Sequence, residues 1–246
     1  MEAISSEKQA EMLVRYQQFR AVGRELNNSL VKSLGKEAIT EAAEQLGMLE
    51  RGVIVFDTED VSSVLMDYAV HQIRRDGLNA VERFLSESPP PESDRMLYAR
   101  SLAKVRYSLI QVESSLPGFG IQVRDILRNE PMLVLDVNFS RTAEQGIVLA
   151  AHVHCPEDFC MTTGASLPVT AEILPGLLRQ LQRRFGNKPR DYRRLSGPQQ
   201  AGLASLTIRT CLAAGMAQRV RYEDLPASTG APPPKGMQNA RKFQDR

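Results

Sequence analysis

The spacing of apolar residues changes twice along this chain, and that limits the folds open to it. Met12, Tyr16, Phe19, Val22, Leu26, Leu30 and Leu34 recur every three or four positions, the mark of one amphipathic helix. Ser6 followed by Gln9 fits a capping box at its start, and Gly35 is expected to end it. A second helix over 36–46 stops at Gly47. Gly52 to Phe56 reads as a short extended run. Asp57 and Thr58 suit the cap of a third helix with Val61, Val64, Leu65, Tyr68 and Ile73 on its apolar side, and a short successor follows Gly77. From Tyr107 the pattern turns strand-like, with runs at 107–112, 121–127, 132–137, 146–153 and 159–163. It is helical again over 170–185 and 199–214. The order predicts an α+β fold: an N-terminal helical region, a central small antiparallel β barrel or curled sheet, and C-terminal helices.

Pro89, Pro90 and Pro91 stop any helix and prefer an extended path. They set the expected division: a helical region over 1–87, a linker over 88–94, a β module over 95–168 and C-terminal helices over 169–225. Residues 226–246 are Pro, Gly, Ser and charge, too polar to bury a core, and are expected to be a disordered tail.

Charge is divided as sharply as period. Residues 179–246 hold 14 Lys/Arg against 4 Asp/Glu, whereas the first 178 residues hold 17 against 25. An acidic body thus carries a basic end, and a surface of one sign attracts polyanions. Within that end Arg179, Arg183, Arg184, Lys188, Arg190, Arg193 and Arg194 cluster around a single Asp191, with Tyr192 among them as a candidate platform for stacking on a base. The same residues also suit a solvated face paired with the chain's own acids. Three cysteines, 155, 160 and 211, form no disulfide framework and fit a reducing compartment. The N-terminus lacks the apolar core of a signal peptide and no run is long enough to span a membrane, so a soluble, cytoplasmic protein is expected.

Three blocks carry a resemblance. They are Gly35-Lys-Glu-Ala-Ile39 through Val53-Ile-Val-Phe-Asp57 and Val64-Leu-Met-Asp-Tyr68; Pro117-Gly-Phe-Gly-Ile-Gln-Val-Arg-Asp-Ile-Leu127; and Asp136-Val-Asn-Phe-Ser-Arg-Thr142 with Gly146 and Met161-Thr-Thr-Gly-Ala-Ser-Leu-Pro168. Together they resemble a family of uncharacterised bacterial proteins. The middle block is also similar to a module of some proteins that end in a SEC-C zinc-binding motif. The resemblance implies no activity. The cysteine cluster of the SEC-C motif is absent after Cys160, so its zinc knuckle does not carry over.

Few residues point to chemistry. On a strand His152 and His154 share one face, and two imidazoles make half of a zinc site. The alternative is two histidines on a partly solvated sheet face, with Cys155 and Cys160 as small buried hydrophobes. Arg124-Asp125 after the glycine turn either hold an anion or fix the turn, Asp taking backbone N–H groups and Arg pairing locally. Pro117-Gly-Phe-Gly120 lacks the Gly-Lys-Ser/Thr ending of a phosphate loop and fits a hairpin turn. Asp57, Glu59, Asp60 and Asp67 suit acid/base work or a divalent cation, and equally helix capping on a solvated face. No Gly-x-Ser-x-Gly motif is present.

These features predict a non-catalytic cytosolic binding protein, without cofactor, whose basic C-terminal face engages nucleic acid or an acidic protein surface. Two alternatives stand beside it: a metal-dependent or hydrolytic enzyme with a site near His152 and His154, and a homodimeric scaffold joined through the first helix.

Overall fold

The computed structural model describes residues 4–55, 58–87 and 93–215. The proline run and the predicted disordered tail lie outside them, as does Asp57. Among the described residues five helices precede the sheet: α1 (Ser6–Ser33), α2 (Lys36–Leu46), α3 (Glu59–Gln72), α4 (Ala80–Glu87) and α5 (Asp94–Leu102). Ser5, one residue before the expected cap, accepts the Lys8 N–H at 3.3 Å, while Gln9 reaches back to the Ile4 carbonyl. Thr58 caps α3 through the Val61 N–H at 3.4 Å. A two-residue hairpin, β1 (Leu49–Glu50) with β2 (Val53–Ile54), lies between α2 and α3.

The central sheet contains β3 (Arg106–Leu116), β4 (Gly120–Asp125), β5 (Glu130–Leu135), β6 (Val148–His154), β7 (Met161–Thr162) and β8 (Leu167–Val169). Its named pairings are antiparallel in the order β5-β4-β3-β6-β7, with β8 also on β6. It curls until its two edges touch. The Cys160 N–H donates to the Leu133 carbonyl at 2.8 Å, and the Leu135 N–H donates to the Cys160 carbonyl at 2.9 Å. The fold is therefore the expected one, a curled antiparallel sheet between helical ends.

The β3–β4 turn explains the Pro-Gly-Phe-Gly sequence. Gly118 has φ +79°, and a Cβ on Gly120 would stand 2.5 Å from the Val134 carbonyl oxygen of the neighbouring strand. The Arg124-Asp125 pair follows the turn-fixing alternative. Asp125 is fully buried and its Oδ1 accepts from the N–H groups of Leu127 (2.9 Å) and Arg128 (3.1 Å). Its Oδ2 accepts from Arg128 Nη1 at 2.8 Å, and Arg124 donates to Glu113 at 2.6 Å. Arg128 is as buried as the aspartate, a charge inside the protein that the sequence reading passes over.

After the sheet come α6 (Leu174–Phe185), α7 (Pro189–Arg193) and α8 (Gly197–Ala213). α7 occupies what reads as a polar connector. Leu177 and Leu181 of α6, with Leu203, Ala204 and Ile208 of α8, join α2, α3 and the inner residues of β3, β6 and β8 in one apolar cluster. A second cluster lies under α1. Met12, Tyr16, Phe19, Leu26 and Leu30 pack there with Tyr98 and Leu102 of α5 and with Leu133, Leu135 and Phe159.

Cys155 and Cys160 form a disulfide, against the expectation of free thiols, and Cys155 is exposed rather than a buried hydrophobe. Only Cys211, buried on α8, is free. The argument from an odd count fails because two of the three cysteines flank one short loop. That loop is tied to α1 as well: Glu157 accepts from Arg15 at 2.6 Å, Lys8 reaches Asp158 at 3.5 Å, and Phe159 packs on Phe19.

Candidate functional site

α6 turns Leu177 and Leu181 inward, which sends Arg179 and Arg183 to solvent on the opposite side. Lys188, Arg190 and Arg194 are exposed beyond it around α7. Among the described residues, Arg179, Arg183, Lys188 and Arg194 form no ion pair, and Arg190 stands 3.9 Å from Asp191. These five cations are thus exposed, and only Arg190 has a carboxylate near it among the described residues.

The other three members of the predicted cluster are engaged within the protein: one is buried, and two are exposed but touch neighbouring elements. Tyr192, expected as a stacking platform, is 4% exposed and belongs to the main apolar cluster, because it is the one apolar residue α7 has for anchoring. Arg193 is neutralised: its Nε donates to Glu130 at 2.7 Å and its Nη2 to the Arg128 carbonyl at 2.9 Å. Arg106 donates to the other oxygen of Glu130 at 3.0 Å. Partial burial works against the Glu130 charge, but the two guanidiniums outweigh it and hold the carboxyl below its usual range. Arg184 lies two turns beyond Leu177, on the same side of the helix, and faces α8.

The histidines are not on a solvated face. His152 and His154 do share one face of β6, but they point into the protein and are 0% and 2% exposed. The third histidine of the chain, His71, arrives from α3 with its ring centroid 4.9 Å from that of His152. Asp67, one turn earlier on α3, joins them. His152 Nδ1 donates to Asp67 Oδ2 at 2.5 Å, and Gln72 Nε2 lies 2.7 Å from His152 Nε2. An ionised carboxylate only accepts, so Nδ1 carries the proton and Nε2 accepts from the Gln72 amide. Both nitrogens of His152 are thus committed.

His154 Nδ1 lies 2.8 Å from Ser101 Oγ, whose own proton goes to the Tyr98 carbonyl at 2.7 Å. His154 therefore donates from Nδ1, and its Nε2 has no partner. His71 Nδ1 has none either. Burial pushes the His71 imidazole down to about 4 and that of His154 to about 3, with repulsion among the histidines adding to it against the attraction of Asp67. Burial works to raise the Asp67 carboxyl, but His152, with His71 and Thr163 beside it, outweighs that and the group lies below its usual range.

Among the described residues no group of three or more His, Cys, Asp or Glu side chains is arranged to hold a metal ion. Asp67 alone of the predicted acidic cluster enters this interior site. Asp60 is exposed, and Asp57 and the Glu59 side chain lie outside the described structure.

Beyond Gln72 the interior meets a cavity of about 440 Å³ between α2, α3, α6 and α8. Arg74, Arg184 and Arg209 border it, with Glu41, Gln45, Tyr68, Gln72 and Ser205 as its other polar lining. Tyr68 donates to Gln45 Oε1 at 2.6 Å and Ser205 to the Gln45 carbonyl at 2.7 Å, so this wall is internally bonded. Arg209 and the cavity went unrecognised in the sequence, because the lining comes from four helices spread over 169 positions (41 to 209).

No curated protein and no solved structure matches the chain significantly. One family model matches residues 10–194, which takes in the whole β module, all three histidines and the exposed cations of α6 and α7 but stops before α8. The chain accordingly belongs to a family of unknown function, DUF7986.

Proposed function

We propose that the protein is a non-catalytic binding protein that holds the phosphate backbone of a nucleic acid on its basic face. One observation carries the reading: Arg179, Arg183, Lys188, Arg190 and Arg194 are exposed together, and four of them have no carboxylate partner among the described residues. Arginine predominates, and its fork matches phosphate oxygens. With Tyr192 buried, the contact is electrostatic and blind to base identity.

Five phosphate contacts give a slope of about −4.5 in log K against log salt, a loss of roughly 500-fold between 50 and 200 mM. Fluorescence anisotropy with a labelled 20-base-pair duplex measures it. Arg179→Glu with Arg183→Glu is expected to weaken binding and flatten the slope. Salt-insensitive binding, or equal binding by the variant, would refute the reading. Preference for an acidic polypeptide over the duplex would assign the face to a protein instead.

A catalytic role near His152 and His154 has less support, since both rings are buried and His152 has no free nitrogen. Dimerisation through α1 has less as well, because its apolar stripe is covered from within the chain. No helix among the described residues is long and apolar enough to cross a membrane. A cytoplasmic location belongs to the proposal, with the Cys155–Cys160 bond open there to cellular thiols through the exposed Cys155. A bacterial source and the kinship of residues 117–127 with the module found beside SEC-C motifs also belong to it, and rest on sequence pattern alone.

A further inference from the structure

We infer that the cavity between α2, α3, α6 and α8 binds a phosphorylated small molecule, gripped by Arg184 and Arg209. Charge accounting leads there. Four charged side chains line the cavity, Glu41, Arg74, Arg184 and Arg209. Two are already balanced from outside: Glu41 by Arg75 at 2.9 Å, and Arg74 by Glu82 at 2.7 Å. Arg184 and Arg209 have no carboxylate partner among the described residues. The cavity is thus left with two unneutralised guanidiniums, the complement of a phosphomonoester dianion.

The N-terminal turns of α8 border the same space through Gly197, Pro198, Ala201 and Gly202, so the positive end of that helix dipole adds to the field. A Cβ on Gly202 would come 3.3 Å from Arg184 Nη2, so the missing side chain lets the guanidinium lie against the helix and leaves the cavity open. The volume of about 440 Å³ lies in the range of roughly 300–1,000 Å³ found for small-molecule sites. That is far more room than one phosphate group needs. Gln45, Tyr68, Gln72 and Ser205 line the rest; each already donates within the protein, and their oxygens are left to accept from the hydroxyls of a body attached to the phosphate.

The site differs from the polyanion face. Arg209 is on α8 rather than on α6 or α7, and Arg179 and Arg183 do not line the cavity. Isothermal titration calorimetry on the full chain tests it with ribose 5-phosphate, glucose 6-phosphate and adenosine 5′-monophosphate, and with inorganic phosphate and ribose as controls. At least one phosphoester is expected to bind saturably at one per chain, with ribose silent and inorganic phosphate weaker. Arg209→Gln should lower that affinity at least tenfold. Gly202→Val, which fills the cavity without removing a charge, should do the same, and circular dichroism checks that each variant is folded. Arg179→Glu with Arg183→Glu should leave it unchanged, even if those changes abolish duplex binding. No saturable binding of any of the three, or binding lost with the face variant and kept in Arg209→Gln, overturns the inference. Inorganic phosphate binding as tightly as the best ester would overturn the phosphoester and give the cavity to free phosphate.

Discussion

The histidine cluster makes acid stability predictable. His71 and His154 are held neutral in the interior, at about 4 and about 3 against an ordinary value of 6.5. Both folded values lie below the unfolded one. Between them the unfolded chain binds more protons than the folded chain, so stability falls as pH falls. From pH 7 to pH 5 each histidine removes roughly 1.5–2 kcal/mol, and the pair roughly 3–4 kcal/mol, a large part of the about 5–15 kcal/mol that holds a domain together. Asp67 and Glu130, whose carboxyls lie below their usual range, titrate beneath this window and do not mask it. Urea unfolding at pH 7, 6 and 5 measures the effect, followed by far-ultraviolet circular dichroism because the chain has no tryptophan. Replacing His71 by Leu or His154 by Leu should each remove about half of the pH-dependent loss. Equal unfolding free energies at pH 7 and 5, or an unchanged loss in both variants, would refute the assignment of two buried neutral histidines.

Asp125→Ala leaves the Arg128 charge buried without its partner and frees two backbone N–H groups, so it should cost about 3–5 kcal/mol in urea unfolding. A loss under about 1 kcal/mol would mean that water reaches the pair. Cys155→Ser should lower stability by about 2 kcal/mol, the chain entropy of closing so short a loop, as read from thermal melts under non-reducing conditions. A reductant should bring the native protein to the same midpoint and leave the variant unmoved.

Much of the fold was legible because period and burial coincide. The α1 stripe from Met12 to Leu30 is the stripe that is buried, and the Pro-Gly-Phe-Gly turn lies where its glycines require. What escaped has local causes. β8 is three residues with Pro168 at its centre, too short for alternation to register. α7 has one apolar residue in five, and α6 begins at Leu174 rather than Thr170 because a turn closed by the Ile173 N–H on the Thr170 carbonyl precedes it. The candidate sites were legible only in pieces. A period of two put His152 and His154 on one face, but their surroundings depend on Asp67 and His71, more than 80 positions earlier. Likewise, a count of arginines cannot tell Arg183 from Arg184, which is also exposed but reaches Gly202 of α8.

The loop from Cys155 to Cys160 has a consequence for how the molecule tolerates change. Surface loops ordinarily accept insertions, because their ends are held and their middles are not. Here the covalent crosslink, the contact between the sheet's two edges and the grip on α1 all fall within six residues. Lengthening that loop by one residue would put all three out of register together, whereas the exposed turn around Gly146 has no such tether.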